Sequence, residues 1–245
     1  MHKNVNCVSS TNDSTCCTWS ESESRGGFNE EELDATEIGV KYKSSDNRLV
    51  VNAAYYEYDY TNQQQQIIVV NSSGALAGQT FNAGSSDMTG FELETKYAVT
   101  DNILIDFSYY SAETEFKSFE LTDTRPPLSF TGNKMNYSPE SSYNVGLTIY
   151  SDDDSSVFTM SYSHKDSYFM DPSNRFVSEQ PAYGLLNMSY IKDFNDNLQM
   201  KIFCTNCTDE IYLTQVTTFA VQFGGGGRNY YANGNRVGLE VTYSF

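Results

Sequence analysis

The chain has 245 residues, with 32 acidic against 15 basic side chains and a formal net charge of −17. This balance argues against a nucleic-acid partner, because binding a phosphate backbone requires a basic surface. The mean hydropathy is −0.50, and no apolar run approaches the length of about 18 residues that a transmembrane helix needs. An excess of Tyr and Phe over Trp (19 and 15 against 1) favours β structure over helix.

Apolar and polar side chains alternate in nine segments, and this period of two predicts nine β-strands, each with one apolar and one polar face. Strands of about 9–11 residues with one apolar face are what a membrane-spanning β-barrel requires. The predicted strands are Asp34–Lys43, Arg48–Tyr60, Asp87–Val99, Ile103–Tyr110, Ser142–Tyr150, a strand containing Phe158, Met160 and Tyr162, then Tyr183–Ile191, Leu198–Asn206 and Arg236–Phe245.

The last predicted strand has the clearest alternation. Five apolar residues on one face oppose Arg, Gly, Glu, Thr and Ser on the other, and the chain ends on an aromatic residue. Strands of soluble proteins seldom stop in this way, whereas strands of outer-membrane barrels commonly do. The apolar set is Val237, Leu239, Val241, Tyr243 and Phe245.

Short and long connections alternate along the chain, as they do in outer-membrane barrels, where turns are periplasmic and loops extracellular. The fold class predicted is therefore all-β, an antiparallel transmembrane β-barrel of which about nine strands are present. The short turns are Ser44–Asn47, Thr100–Asn102, Ser151–Ser155 and Lys192–Asn197. The long connections, expected to be polar and irregular, are Thr61–Ser86, Thr114–Ser141, Lys165–Ala182 and Cys207–Asn235.

The second strand departs from simple alternation. Its outward set, which starts at Leu49, would continue into Glu57 and Asp59, while three tyrosines from Tyr56 to Tyr60 have the opposite parity. Either a β-bulge reverses the face, or this half of the strand projects beyond the hydrocarbon. The sequence leaves both alternatives open.

The cysteines and the histidines give weak signals. Five cysteines with uneven spacing do not make a disulfide framework. Cys204 and Cys207 are expected to point to opposite faces of a strand, so no metal site is predicted there. His164 is expected to be a loop or rim residue rather than the base of a Ser–His–Asp site. The sequence thus predicts no catalytic residue, no metal ligand and no cofactor.

Two further motifs have plain interpretations. Gly224–Gly227 lacks the Lys-Ser/Thr of a phosphate-binding loop and is expected to be a flexible loop tip. Asp152–Asp154 lies within a short turn and lacks the spacing of a calcium-binding loop, so a solvated cap is expected.

Four segments together resemble the carboxyl-terminal part of a TonB-dependent outer-membrane receptor. They are Phe28–Tyr60, with its E-x-G-x-K and N-A-A-aromatic strands, Asn82–Tyr110, with its G-x-E-x-E strand, Lys201–Thr214 and the terminal strand. Within Lys201–Thr214, the N-x-T-D-x-x-Y box of the family is matched by Asn206, Thr208, Asp209 and Tyr212, although Cys207 replaces an apolar residue. The terminal strand resembles the signal that the barrel-assembly machinery recognises, at Gly238, Val241, Tyr243 and Phe245.

The resemblance implies a barrel of about 22 strands with a plugged lumen, located in the cell outer membrane, of which this chain supplies the last nine strands. It implies energy-coupled uptake of a scarce ligand such as a ferric siderophore. The implied partners are outer-membrane lipid, the barrel-assembly machinery, the TonB complex through an amino-terminal part, and a small-molecule ligand.

The beginning of the chain suggests that it is a carboxyl-terminal fragment of a receptor or a truncated gene product. Its first residues contain no apolar run of a signal peptide, and no plug domain or TonB box is recognised. Residues 1–32 are expected to be a polar segment, either an extracellular loop or disordered, and residues 33–245 to be the barrel part.

Polar residues of the predicted strands are candidates to face the lumen, where they would contact ligand, plug or water. Two other functions are weighed: a passive porin or channel, which would need an even strand number, and a surface β-sandwich adhesin, which would need both strand faces partly buried. The lumen-facing candidates are Glu92, Glu94, Lys96, Asp106, Asn144, Asn187, Lys201 and Glu240.

Overall fold

The computed structural model describes residues 29–122, 124–218 and 227–245. Most of the predicted polar segment 1–32, with Cys7, Cys16 and Cys17, and the glycines 224–226 lie outside these residues. Within them, no helix is long and apolar enough to cross a membrane. The strands are β1 (Glu32–Lys43), β2 (Leu49–Thr61), β3 (Gln64–Val70), β4 (Leu76–Asn82), β5 (Ser85–Ala98), β6 (Ile103–Ser118), β7 (Glu120–Leu121), β8 (Leu128–Ser129), β9 (Ser141–Tyr150), β10 (Ser156–Lys165), β11 (Tyr168–Phe169), β12 (Glu179–Gln180), β13 (Tyr183–Asn195), β14 (Leu198–Thr205), β15 (Leu213–Thr218), β16 (Gly227–Tyr231) and β17 (Arg236–Tyr243).

Nine of these strands form one antiparallel sheet in the order β1-β2-β5-β6-β9-β10-β13-β14-β17. They are the nine strands that the alternation predicts, so the all-β antiparallel prediction is confirmed. Each strand pairs with the next of the nine along the chain, as strands joined by short turns or local loops do. In the described residues, β1 and β17 are the two edges of the sheet.

The register separates the two faces of the sheet. One row of direct cross-strand partners across eight strands is apolar or sulfur-bearing throughout, and the neighbouring row on the other face is mostly polar or small. The first row is Leu49, Tyr97, Ile105, Leu147, Met160, Met188, Cys204 and Val237. The second is Lys43, Val50, Lys96, Asp106, Gly146, Ser161 and Asn187.

A row of carboxylates marks the upper limit of the apolar face. Asp34, Asp59, Asp87 and Glu115 are consecutive cross-strand partners on that face, nearer the long loops. Ionised side chains facing lipid are costly, so a hydrocarbon layer against this face would end below this row. Strands β1, β2, β5 and β6 therefore extend beyond the apolar band of the sheet.

This extension beyond the apolar band explains why the second strand departs from simple alternation. Strand β2 pairs with β1 and β5 without a register shift, so the bulge alternative is wrong. Tyr56 lies on the polar face and is only 3% exposed. Glu57 and Asp59 keep the parity of the apolar face, but at a height where that face meets water.

Tyr56 packs across Gly90, its direct partner on β5. A Cβ atom at residue 90 would lie 2.4 Å from Tyr56 Cζ and 2.6 Å from the carbonyl oxygen of Ser111. We expect Gly90→Ala to destabilise the sheet by about 1–3 kcal/mol, since the backbone oxygen has no room to move aside. Urea unfolding of the membrane-folded protein measures this. Gly78→Ala, where a Cβ meets nothing within 4 Å, should leave the unfolding midpoint nearly unchanged.

Two of the short turns are built in the same way around an aspartate. Asp46 accepts hydrogen bonds from the Ser44 hydroxyl (2.5 Å) and the Arg48 amide (3.1 Å). Asp153 accepts them from the Ser151 hydroxyl (2.5 Å) and from Ser155. The expected solvated cap at Asp152–Asp154 is thus a hydrogen-bonded turn.

These hydrogen bonds make the turn at Asp153 sensitive to acid. The hydroxyl of Ser151, followed by Ser155, holds the pKa of Asp153 below its ordinary value of 3.8. Since the folded pKa is the lower one, this stabilisation is complete above pH 3.8 and is lost as the pH falls through the folded pKa. NMR titration of the Asp153 carboxyl should report the lowered pKa. Asp153→Asn should loosen the turn at neutral pH, whereas Asp154→Asn removes the same charge and should not. A carboxyl of Asp153 that titrates at its ordinary value would contradict this account.

Candidate functional site

The described parts of the four long connections contain regular structure, so the prediction of irregular loops is wrong for these residues. Each contains a two-stranded hairpin: β3–β4, β7–β8, β11–β12 and β15–β16. We name the connections loop A (62–84), loop B (119–140), loop C (166–182) and loop D (206–235). Together, the described parts of these loops form what we call the loop layer.

Loops A and B share a hydrophobic cluster centred on Phe116, at the upper end of β6. Phe116 and Phe119 are both fully buried, and their ring centroids are 5.2 Å apart in a T-shaped contact. A backbone hydrogen bond of 3.0 Å from Arg125 to Val70 also joins the two loops. The buried members of the cluster are Ile67, Val69, Ala83, Phe116, Phe119, Leu121 and Phe130.

Loop B is joined to loop C by hydrogen bonds. The Lys134 amide donates to Asn174 Oδ1 (2.7 Å), and Asn174 Nδ2 donates back to the Lys134 carbonyl (3.0 Å). Nearby, Asn133 Nδ2 donates to the Pro172 carbonyl (2.8 Å). This paired arrangement fixes the position of loop C relative to loop B.

Loop C is joined to loop D by a buried glutamine and a small hydrophobic cluster. Gln180, which is 2% exposed, accepts a hydrogen bond from the Leu213 amide (2.6 Å). Met170 of loop C packs with Leu213 and Val216 of loop D. The four loops are therefore connected in series, A to B to C to D.

Four tyrosines meet where the loop layer joins the sheet. Tyr183 and Tyr212 are stacked with ring centroids 4.5 Å apart, and Tyr137 lies 6.3 Å from Tyr168. Lys165 Nζ lies 5.8 Å from the centroid of Tyr168. A phenol is protonated at neutral pH, and burial raises the pKa of Tyr168 and of Tyr137 further, so both can donate hydrogen bonds.

The asparagine of the family box closes the turn between β14 and loop D. Asn206 has a left-handed backbone (φ 49°) and is 7% exposed. Its side chain accepts from the Glu210 amide and donates to the Glu210 carbonyl, both at 2.9 Å. Its own amide donates to Asn187 Oδ1 at 3.0 Å. Asn suits this position, because its short amide tolerates the left-handed region.

The same turn brings Cys204 and Cys207 into a disulfide, with their Cα atoms 5.5 Å apart. The expectation that these side chains point to opposite faces is therefore wrong. It assumed a continuous strand, but β14 ends at Thr205 and the left-handed residue Asn206 reverses the chain. An exported protein meets an oxidising compartment in which such a bond persists.

The other box residues lie along the start of loop D. Asp209 Oδ1 accepts a hydrogen bond from the Asn235 amide (2.8 Å), which ties the two ends of the loop together. Tyr212 forms the stack with Tyr183, and Thr208 is exposed. Two of the four box residues, Asn206 and Asp209, thus fix the base of loop D through their hydrogen bonds.

The lumen-facing candidates lie on the polar face, where they divide into two groups. Glu92, Glu94 and Asn144 line a cavity of about 460 Å³. A second cavity of about 510 Å³ is lined by Asp106, Asn187, Lys201 and Glu240. Lys96 is the cross-strand partner of Asp106, and Asn144 Nδ2 donates to Asp106 at 3.4 Å.

The residues of the predicted assembly signal lie on or just after the edge strand β17. Val241, Tyr243 and Phe245 are exposed on the apolar face, and the rings of Tyr243 and Phe245 form a T-shaped contact at 5.1 Å. Gly238 lies on the polar face, under the ring of Phe203. Their recognition by the assembly machinery stays a prediction.

His164 is near the end of β10 and is not part of a catalytic triad. Its Nε2 lies 3.3 Å from Asp166 Oδ1, while the Ser141 hydroxyl donates to the other Asp166 oxygen at 2.5 Å. In a triad, the serine contacts the imidazole and the carboxylate orients it from the far side. Here both groups contact the carboxylate.

The fold and the loop layer define a class: a wall of a transmembrane-type antiparallel β-barrel with structured loops on one side. The sequence profile of the family described as "TonB dependent receptor-like, beta-barrel" matches residues 20–207. The chain belongs to this family, whose members are transporters. A search of curated protein sequences found no significant match.

Solved structures of similar fold are receptors and a transporter. The ferric yersiniabactin uptake receptor FyuA from Yersinia pestis matches with a TM-score of 0.69 and 18% identity, over 88% of this chain and 30% of its own. The siderophore receptor PiuA from Acinetobacter baumannii matches with a TM-score of 0.69 and 22% identity, over 87% and 28%. The copper transporter OprC matches with a TM-score of 0.65 and 16% identity, over 89% and 32%. The chain thus spans about 30% of the length of FyuA.

Proposed function

We propose that this chain is the carboxyl-terminal part of an outer-membrane receptor that takes up a scarce metal chelate, such as a ferric siderophore, with energy supplied through the TonB complex. The observation that carries this proposal is the family match over residues 20–207. Among the proteins of similar fold, FyuA is a ferric yersiniabactin uptake receptor and PiuA is a siderophore receptor. OprC is a copper transporter.

The loop layer supports capture of a ligand above the lumen. Two cavities on the polar face and a layer of interlinked loops above them give a small molecule both a surface to contact and a way into the barrel. The apolar face supports an outer-membrane location, with outer-membrane lipid as its partner.

The test is an uptake assay in cells whose only TonB-dependent receptor is the complete form of this protein. The probes are radiolabelled ferric complexes of catecholate and hydroxamate siderophores, with a copper complex alongside. We expect uptake of at least one probe, and we expect a protonophore or deletion of TonB to abolish it. Uptake that continues under both treatments would overturn the proposal in favour of a passive channel.

A further inference from the structure

A third cavity, of about 470 Å³, lies where loop D leaves the sheet. The upper ends of β13, β14 and β17 form one side of it, and residues 212, 214 and 231–234 of loop D form the other. Among the described residues that line it, Arg236 is the only charged one. In a chain with a net charge of −17, a described lining with a single cation and no carboxylate is a distinct environment. The carboxylate of Asp209 lies next to this lining, against Gly234, and accepts the hydrogen bond of the Asn235 amide.

Arg236 has no anionic partner among the described residues. The ion pairs found there join other residues, and its guanidinium instead lies over the ring of Phe203, with Cζ 5.6 Å from the centroid. Lys201 Nζ lies 5.7 Å from the same centroid. An aromatic ring thus holds two cations on the polar face, and neither cation forms an ion pair in the described structure.

Gly238 permits this arrangement. A Cβ atom at residue 238 would lie 2.3 Å from Phe203 Cζ and 2.6 Å from Phe203 Cε1, so a larger residue would displace the ring. With glycine at this position, Phe203 lies across β17 and supports the planar guanidinium. Stacking on an aromatic face orients an arginine while its N–H groups stay available for an anion.

Arg236 also stands between two cavities. Together with Asn187 and Thr205, it lines both the third cavity and the 510 Å³ cavity that contains Lys201. The 460 Å³ cavity contains Glu92 and Glu94 beside Lys165, and the 510 Å³ cavity contains Asp106 and Glu240 beside Lys201 and Arg236. Of these three cavities, the third is the one whose described lining contains a cation and no carboxylate.

The remaining lining groups add hydrogen-bond donors and aromatic rings. Asn187 Oδ1 is occupied by the Asn206 amide at 3.0 Å, which leaves the Nδ2 group of Asn187 as the donor. Tyr212 and Tyr231 supply rings and hydroxyls. Donors around a single cation, next to aromatic rings, match an anionic oxygen group attached to a planar ring.

We propose that Arg236, supported by Phe203 and Gly238, forms a subsite for a small molecule that carries an anionic oxygen group on an aromatic ring. This rests on the proposed function, because it places part of the transported ligand in the third cavity. The guanidinium binds the anionic oxygens through paired N–H groups, and the tyrosine rings contact the planar part.

The test is equilibrium dialysis of the complete receptor in detergent with radiolabelled salicylate, and with 2-hydroxybenzyl alcohol as the neutral analogue. We expect the wild-type receptor to bind salicylate at least tenfold more tightly than the alcohol. Arg236→Gln should weaken salicylate binding by about tenfold, because the charge-assisted hydrogen bonds to the carboxylate are lost, and should leave binding of the alcohol unchanged. Arg228→Gln is the matched control, because Arg228 is exposed as Arg236 is but lies on β16 of loop D, outside the lining of the third cavity, and this variant should bind salicylate as the wild type does.

Two results would overturn the inference: equal binding of salicylate and the alcohol by the wild type, or equal effects of Arg236→Gln and Arg228→Gln. The comparison of salicylate with the alcohol uses only the wild-type receptor, so it tests the inference even if Arg236→Gln fails to fold. Loss of the anion preference in a receptor that still shows TonB-dependent uptake would overturn only this inference. Uptake without TonB would overturn only the proposed function.

Discussion

Phe116→Ala is expected to destabilise the loop layer by about 3–5 kcal/mol, the usual effect of removing a fully buried aromatic ring. Phe116 is 0% exposed and contacts Phe119 at the centre of the cluster shared by loops A and B. Its backbone also exchanges hydrogen bonds of 2.8 Å with Gly132 and Asn133 of loop B, but a side-chain truncation keeps these. The predicted change is therefore one of packing.

Hydrogen exchange measured by mass spectrometry on the membrane-folded receptor checks this. Amides of loops A and B should lose protection in Phe116→Ala, while amides of β9 to β14 should keep theirs. Phe176→Ala is the matched control, because Phe176 lies in loop C with 86% of its surface exposed. Equal loss of protection in both variants would contradict a cluster centred on Phe116.

Asn206→Ala is expected to release the base of loop D. The substitution removes two hydrogen bonds of 2.9 Å to Glu210 and places a residue with a Cβ but no polar group in the left-handed region. We expect a local destabilisation of about 2–4 kcal/mol from the lost hydrogen bonds and the backbone strain. The disulfide between Cys204 and Cys207 remains in the variant and limits the opening to residues beyond it.

Limited proteolysis of intact cells measures this opening, because loop D is expected to be extracellular. Cleavage within 208–235 should be at least tenfold faster in Asn206→Ala than in the wild type. Asn229→Ala, on the exposed face of β16, changes the same residue type in the same loop, and its cleavage rate should match the wild type. An Asn206→Ala variant as resistant as the wild type would show that the disulfide alone fixes the turn.

The sheet could be predicted from the sequence because strand alternation is a local property. All nine strands follow from a period of two that each segment shows by itself. The ambiguity at Tyr56 to Tyr60 arose beyond the apolar band of the sheet, where Glu57 and Asp59 occupy the outward face and Tyr56 is buried on the other. Only the register with β1 and β5 resolved it.

The loop layer could not be predicted in the same way, because its contacts join residues far apart in the chain. Ile67 and Phe130, for example, belong to one cluster although they lie in different loops. The four apolar residues Ile67–Val70 were a signal that loop A buries a core, yet nothing local indicates the partner. The disulfide was missed because one left-handed residue, Asn206, ends the strand between its cysteines.

The two buried hydrophobic clusters of the described structure lie in the loops and at the upper end of β6, whereas most apolar residues of the lower part of the sheet face outward. The loop clusters and the outward face of the sheet are consequently stabilised by different interactions. The loop clusters fold in water and gain from the hydrophobic effect, while side chains that face acyl chains gain little from it. Sulfate, which strengthens the burial of apolar surface from water, should stabilise the extracellular half and leave the lipid-facing half almost unaffected.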